Sequence, residues 1–148
     1  IDGDLRSPRQ HELFKVESQT GLSSLLAGRM QDQVVTFVHG IPGLAVLPAG
    51  PTPPSPAELL SRPGLSRILA QSSSSFDVVL VDTPAFGSGA DAALLARAVG
   101  AVLVVARNHV TRLSAFNDVV AGLADSNVQV VGSVLVDVPS SMNASVRE

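Results

Sequence analysis

The sequence predicts an α/β fold built on a mainly parallel sheet flanked by helices. Three valine-rich runs, nearly continuous in apolar residues, lie at 76–82, 101–106 and 128–136. Such runs are typical of strands that helices cover on both faces. Segments with apolar residues at helical spacing alternate with them, and this alternation predicts crossover connections and parallel pairing.

The stretch before the first of these runs contains a shorter candidate strand and two candidate loops. The run GLAVLPAG at 43–50 is predicted to be a short strand. The segment 48–56 carries five prolines and is expected to be extended or turning, because proline lacks the N–H that helices and sheets use. The serine run at 71–75 is predicted to be a polar connector.

Helices are expected at 56–71, 90–99 and 111–125. The first has a start signal in Ser55, Pro56 and Glu58, which together form a capping box with proline at the first helical position. Ser88 and Asp91 repeat the serine-to-acid spacing before the second helix.

Composition excludes several classes of protein. The 148 residues suffice for one domain, and 45% hydrophobic against 16% charged residues excludes disorder over most of the length. The net charge of -3 gives no general attraction to nucleic acid or acidic lipid. The absence of cysteine excludes disulfides and thiolate metal sites. We expect a soluble chain with no nucleic-acid partner and no membrane insertion.

Asp82 is the first candidate for a functional residue. It ends the apolar run at 76–82, and ligands of such sheets bind beyond the carboxyl ends of the strands. An acid in this position resembles a Walker B aspartate, which holds Mg²⁺. A helix-capping or turn-forming role is the alternative.

Asp2 and Asp4 in the opening IDGDLR form the second candidate. On an extended chain the two side chains point to the same side, and like charges held that close repel unless a cation or a proton intervenes. A solvated terminus is the alternative. We expect Asp2, Asp4 and Asp82 to converge at one sheet edge, because all three end or follow predicted strands, and a separation above about 10 Å would exclude a shared metal site.

These segments resemble the bacterial tyrosine kinases of capsular and exopolysaccharide systems. IDGDLRSPRQHELF resembles their Walker A′ segment, VVLVDTP resembles Walker B, and LAVLPAGPTPPSPAELL lies between them in the family's order. The resemblance covers residues 1 to about 136. It implies a P-loop NTPase-like fold of the deviant Walker A type, with residues 1–136 as the C-terminal two thirds of the domain, lacking the first βα unit. Residues 137–148 are expected to fray.

The resemblance also implies roles for five residues. Asp2 would take the proton from a tyrosine hydroxyl, and Asp4 and Asp82 would hold or orient Mg²⁺ in a complete, ATP-binding domain. Arg6 would neutralise phosphate or anchor the acids, and an ordinary structural ion pair is an equally open alternative. Arg107 would lie near the nucleotide.

The chain departs from the family's pattern in several positions. No G-x-x-x-x-G-K-[ST] loop is present, and Lys15 is expected to be a surface helix residue. Val136 stands where the family commonly has an asparagine near the adenine, and Ala85 replaces a second proline after Walker B. The chain contains no tyrosine. Its histidines, at positions 11, 39 and 109, lack ligand spacing and are expected to be exposed or locally bonded.

Two other functions stay open. One is a MinD- or ParA-like ATPase that switches dimerisation with ATP. The other is a non-enzymatic partner in polysaccharide export. For the kinase, the resemblance implies a membrane-spanning polysaccharide chain-length regulator as partner, homo-oligomers, and a cytoplasmic location at the inner face of the bacterial membrane.

Overall fold

The computed structural model describes residues 1–29 and 35–138, in two compact units, Ile1–Ala98 and Val99–Glu148. The helices are α1 (Gln10–Phe14), α2 (Leu22–Leu26), α3 (Pro56–Leu60), α4 (Gly64–Ser75), α5 (Asp91–Val99) and α6 (Leu113–Asp125). The strands are β1 (Thr36–Phe37), β2 (Ala45–Val46), β3 (Ala101–Arg107) and β4 (Gln129–Val136). Residues 139–148 of the expected frayed tail lie outside the described residues.

The second unit confirms two predicted strands and their parallel pairing. β3 pairs with β4 from Ala101↔Gln129 to Arg107↔Val136, and α6 connects them. Val104 and Leu123 are buried, as expected for a strand and helix that cover apolar surface in this unit.

In the first unit, the opening residues lie between two other segments. Asp2 donates its main-chain N–H to the Leu47 carbonyl at 2.9 Å, and Gly3 donates to the Asp82 carbonyl at 2.9 Å. Asp2 and Asp82 form an isolated parallel bridge. The strand predicted at 76–82 is thus paired only at its carboxyl end, at Asp82. Its earlier residues form no regular strand.

The expectation that helices cover both faces of the apolar runs is wrong for the described residues. Val81 packs against the core of the first unit, whereas Val78 and Leu80 are 72% and 77% exposed. Alternate residues of an extended segment point to opposite sides, so the core covers only the side that Val81 faces. In the second unit, Leu103 and Val105 of β3 are likewise exposed.

The strand predicted at 43–50 is shorter than expected and antiparallel. β2 pairs antiparallel with β1, a strand that the sequence did not indicate. Gly40 and Gly43 both have positive φ in the loop that connects the two strands, a conformation that glycine adopts readily. The prolines after residue 47 end the strand early, and the predicted extended loop follows.

The helix predicted at 56–71 is two helices, because Pro63 interrupts it before α4 begins. The serine run at 71–75 belongs to α4 and is not a connector. Ser74 and Ser75 donate their hydroxyls to the carbonyls of Ala70 and Gln71 four residues back, which satisfies these polar groups inside a helix.

Neither of the two serines that were predicted to cap helices makes a capping hydrogen bond through its side chain. Ser55 is the N-cap of α3 and Pro56 its first residue, but the Ser55 side chain makes no capping bond. The Ser88 hydroxyl donates to the Ala85 carbonyl, and α5 begins at Asp91. Helices α5 and α6 otherwise match their predicted ranges within two residues.

The core of the first unit is aliphatic. Its buried members come from the opening segment, the segment after β2 and helices α2 to α5: Leu5, Leu22, Leu26, Leu47, Ala49, Leu59, Leu60, Leu65, Ile68, Leu69 and Leu95. Leu5 of the opening segment packs within this cluster, and this packing fixes the position of the nearby Asp2. No helix of the described residues is long and apolar enough to cross a membrane.

Candidate functional site

Asp2 is a fully buried carboxylate in the middle of the first unit. Its side chain is 0% exposed, and it accepts two main-chain hydrogen bonds, from Asp4 to Oδ1 at 3.2 Å and from Gln10 to Oδ2 at 3.1 Å. Burial raises the pKa of Asp2, and the charges of Asp82 and Asp4 raise it further, while the two hydrogen bonds act in the opposite direction. Asp2 therefore holds its proton to higher pH than an ordinary aspartate.

Asp82 lies beside Asp2 on the neighbouring segment, at a strand spacing of about 5 Å. The two segments that carry these aspartates are therefore neighbours. Asp82 is exposed, and its Oδ2 accepts a hydrogen bond from Gln10 Nε2 at 2.7 Å. Within residues 1–29 and 35–138, no donor reaches its Oδ1.

Gly3 allows these two segments to pack so closely. A Cβ added at Gly3 would lie 2.6 Å from the Asp82 carbonyl oxygen and 2.9 Å from Leu95 Cδ1. Real Cβ atoms do not approach main-chain atoms so closely, so a side chain here would push the Asp2 and Asp82 segments apart.

Asp4 forms a tight turn directly after the paired segment. Its Oδ1 accepts main-chain hydrogen bonds from Arg6 at 3.0 Å and Ser7 at 2.9 Å. The close spacing of Asp2 and Asp4 led us to expect a cation or a proton between them. Main-chain N–H groups already offset part of that repulsion, so the pairing of these acids does not by itself demand a metal.

Arg6 is engaged in an ion pair with Asp91 at the start of α5. Arg6 Nε lies 2.5 Å from Asp91 Oδ2, and Nη2 donates to Oδ1 at 3.2 Å. The Asp91 side chain is 1% exposed, whereas that of Arg6 is 44% exposed. This is the structural ion pair that the sequence left open as an alternative, and it links the loop after Asp4 to α5.

Arg107 lies in the second unit, where it ends β3. Its guanidinium forms an ion pair with Asp137, and its main-chain N–H donates to Thr111 Oγ1 at 2.8 Å. Asp137 has a positive φ of 59 directly after β4, and Asn108 Nδ2 donates to its carbonyl. These contacts order the carboxyl ends of β3 and β4.

Sequence reasoning missed Gln10 and assigned the wrong contact to Asp91. Neither residue stands in a periodic pattern that would have indicated its partner.

The expectation for the histidines holds for His39 and His109, which are exposed. His11 differs, because its Nδ1 is buried without a hydrogen-bond partner among the described residues. Lys15 is exposed, as expected, at the end of α1.

The candidate metal ligands of the site are single carboxylate oxygens, which suit a magnesium ion that is held partly by phosphate and water. In the described ranges, no three His, Cys, Asp or Glu side chains are grouped to hold a metal by themselves. Mg²⁺ in kinase sites is usually bound by one or two carboxylates together with substrate phosphates. Asp82 Oδ1 and Asp4 Oδ2 accept no hydrogen bond from described residues, so each is an oxygen that could contribute to such a site.

Comparison with known sequences found tyrosine kinases. No protein-family model matches the chain. It is 36% identical over 135 residues to the tyrosine-protein kinase etk of Escherichia coli K12, a match that covers 91% of this chain and 19% of that protein. The match to the tyrosine-protein kinase wzc of Salmonella typhi is 35% identical, with the same coverage of 91% and 19%. The chain thus spans only 19% of these curated relatives.

Comparison with solved structures found kinase domains. The kinase domain of Escherichia coli tyrosine kinase ETK has a TM-score of 0.89 at 34% identity and covers 100% of this chain, which spans 57% of it. The VpsO kinase domain has a TM-score of 0.84 at 31% identity, covering 91% of this chain and 67% of that domain. The Pyrococcus furiosus cell division ATPase MinD, at 23% identity and a TM-score of 0.75, is similar in fold. These likenesses confirm the predicted P-loop NTPase-like α/β fold.

Proposed function

The chain belongs to the bacterial tyrosine kinases, and from this we propose that it is part of the catalytic domain of an ATP-dependent protein-tyrosine kinase that regulates capsule or exopolysaccharide polymerisation and export. The observation that carries the proposal is the placement of a buried carboxylate, Asp2, beside an exposed one, Asp82, on neighbouring parallel segments. One acid with a raised pKa next to one open to solvent suits a base paired with a metal ligand.

In this proposal Asp2 accepts the proton of the attacking tyrosine hydroxyl. The raised pKa of Asp2 makes it a stronger base than an ordinary aspartate. Asp4 and Asp82 hold or orient Mg²⁺. When bound, ATP supplies the phosphoryl group and Mg²⁺ neutralises its charge.

The two arginines have supporting roles in this proposal. Arg6 fixes the loop after Asp4 through Asp91 and so keeps both carboxylates of the opening segment in place. Arg107 contributes to nucleotide binding from the end of β3.

We infer the partner and location from the same family. The partner is a membrane-spanning polysaccharide chain-length regulator, and the kinase acts as a homo-oligomer at the cytoplasmic face of the membrane. The relatives etk and wzc are both named as tyrosine-protein kinases, which supports a kinase activity for the full-length protein.

The proposed activity is tested in the full-length protein with ATP and Mg²⁺, by measuring phosphotyrosine with mass spectrometry. Asp82→Asn removes the charge of the proposed metal ligand and should reduce phosphorylation on the order of a hundredfold. Asp77→Asn is the matched control, since Asp77 is an exposed aspartate five residues earlier on the same run. Equal loss in both variants, or none in Asp82→Asn, would refute the assignment.

The 148-residue chain alone is proposed to bind ATP–Mg²⁺ weakly and to transfer no phosphate. The sequence has no glycine-rich loop ending in GK[ST], and such a loop supplies most of the phosphate-binding N–H groups and the lysine. Isothermal calorimetry should detect no affinity tighter than roughly 100 μM. Micromolar binding to this chain would contradict the proposal.

A non-enzymatic partner in polysaccharide export is the second candidate. It is favoured by Val136, which cannot supply an amide hydrogen bond to a nucleotide base. The phosphotyrosine measurement separates the two functions, since a full-length wild-type protein without activity supports the second.

A further inference from the structure

Gln10 joins the Asp2 and Asp82 carboxylates through two separate donors. Its main-chain N–H donates to Asp2 Oδ2 at 3.1 Å, and its side-chain Nε2 donates to Asp82 Oδ2 at 2.7 Å. In the ranges 1–29 and 35–138, no other residue donates to both carboxylates. Because Asp2 and Asp82 stand on neighbouring segments, a donor that reaches both fixes their relative arrangement.

We propose that Gln10 is a positioning residue for the phosphoryl transfer proposed above, one that orients the Asp82 carboxylate so that Oδ2 is held toward Gln10 and Oδ1 stays available to a divalent cation. The inference rests on that proposed function and names a residue that acts through Asp82, without touching the reacting atoms.

The need for such a residue follows from the exposure of Asp82. The terminal torsion of an aspartate is broad, so an exposed carboxylate samples many orientations. A hydrogen bond to a charged carboxylate is stronger than one between neutral groups, and it narrows that range. The two N–H donors of Gln10 also place a partial positive charge next to each carboxylate, which lowers the repulsion between Asp2 and Asp82.

A merely structural role does not account for the side chain of Gln10. The start of α1 needs partners for its first main-chain N–H groups, and the Gln10 main-chain N–H already has one in Asp2. The side-chain amide adds nothing to that cap. Replacing Gln10 with leucine keeps the main-chain bond to Asp2 and removes only the link to Asp82.

The test measures binding of Mn²⁺ alone to the chain by electron paramagnetic resonance. Gln10→Leu should weaken Mn²⁺ binding on the order of tenfold, as loss of groups that orient metal ligands does elsewhere. Gln10→Glu keeps the length of the side chain but removes the N–H that Asp82 Oδ2 accepts, so it should weaken Mn²⁺ binding by a similar factor. Glu12→Gln is the control on the same helix: Glu12 is exposed and pairs with Arg9, so a change below about twofold is expected.

Two results would overturn the proposal. Mn²⁺ binding to Gln10→Leu as tight as wild type, or tighter, would show that the amide merely occupies an oxygen that the ion could use. Mn²⁺ binding to Gln10→Glu as tight as wild type, or tighter, would show that the N–H bond to Asp82 Oδ2 does not orient that carboxylate for the ion. The glutamate variant also keeps the proposal testable if the leucine variant fails to fold.

The full-length protein provides a second measurement. There, Gln10→Leu should lower kcat by roughly tenfold and leave the KM for ATP nearly unchanged, because it disturbs a position within the site rather than nucleotide affinity. An unchanged kcat would overturn the positioning role. The two measurements separate the two proposals. A wild-type protein that phosphorylates no tyrosine refutes the proposed function, whereas the Mn²⁺ measurement, which needs no phosphoryl transfer, tests the role of Gln10.

Discussion

At the scale of single residues, Asp2 and Asp82 are joined through Gln10, which donates one hydrogen bond to each of them. Asp82 ends an apolar run and Asp2 follows Ile1 on an extended segment, and parallel pairing of such segments brings their ends together. Gln10 and Asp91 act through contacts with Asp82 and Arg6 that span 72 and 85 residues of sequence. No periodic pattern encodes contacts of that kind, so they required the structure.

The buried position of Asp2 predicts a dependence of stability on pH. Its pKa is raised in the folded chain, so ionisation is harder there than in the unfolded chain. The stabilising contribution of the protonated form is complete below the unfolded pKa of about 3.9 and is lost as pH rises through the folded pKa. The free energy of unfolding of the wild type, relative to Asp2→Asn, should therefore fall as pH rises above about 4.

Urea unfolding at a series of pH values, with EDTA present, measures this difference. Asp77→Asn controls for the loss of one negative charge at an exposed position. A wild type that instead gains stability relative to Asp2→Asn as pH rises would mean that the hydrogen bonds from Asp4 and Gln10 outweigh burial.

Gly3 predicts a second effect at a single position. Gly3→Ala places a Cβ against the Asp82 carbonyl and should lower the free energy of unfolding by about 1–3 kcal/mol, the usual range for overpacking. Gly122→Ala is a control with the opposite sign. Gly122 lies within α6, and a Cβ added there would meet open space, so alanine should stabilise that helix by roughly 0.5–1 kcal/mol. Chemical denaturation measures both, and a Gly3→Ala chain as stable as wild type would show that the two segments can separate freely.

At the scale of elements, the sequence predicted the long strands and helices and failed at short or interrupted ones. β3, β4, α5 and α6 have strong apolar patterns over seven or more residues. The β1–β2 hairpin has two residues in each strand, too few for a period to show. The serine run of α4 has a low helix propensity, which its hydroxyl bonds to main-chain carbonyls offset in this structure.

The ion pair between Arg6 and Asp91 predicts how the opening segment is attached to α5. Arg6→Met leaves Asp91 buried and unpaired, so it should lower the urea midpoint of unfolding. Adding Asp91→Asn to that variant should recover part of the loss, because it removes the buried charge. Arg9→Met is the control: the Arg9–Glu12 pair is exposed on both sides and should contribute little. Equal midpoints for Arg6→Met and Arg9→Met would show that the buried pair does not anchor the segment.

At the scale of the whole molecule, the fold class and the family could be predicted from the order of a few segments, whereas the coverage of the sheet could not. Parallel pairing follows from alternating strands and helices. Whether both faces are covered depends on what packs against each of them, and apolar strands alone do not encode that. The exposed side chains of Val78 and Leu80 are therefore the clearest difference between the predicted and observed architecture.

The lack of tyrosine in the sequence predicts where a phosphorylated tyrosine must lie. The proposed mechanism needs a phenol that reaches the buried Asp2, and residues 1–148 contain no tyrosine. The hydroxyl of a serine is several ångströms closer to its own main chain than that of a tyrosine, so a serine would hold the nucleophile too far from Asp2. The serines at positions 140, 141 and 145, which lie outside the described residues, are therefore not expected to be acceptors. In full-length protein treated with ATP and Mg²⁺, mass spectrometry should therefore find phosphotyrosine only outside residues 1–148 or on another protein. Phosphate on those serines, lost in Asp2→Asn, would show that the site accepts a short hydroxyl and that the acceptor assignment is wrong.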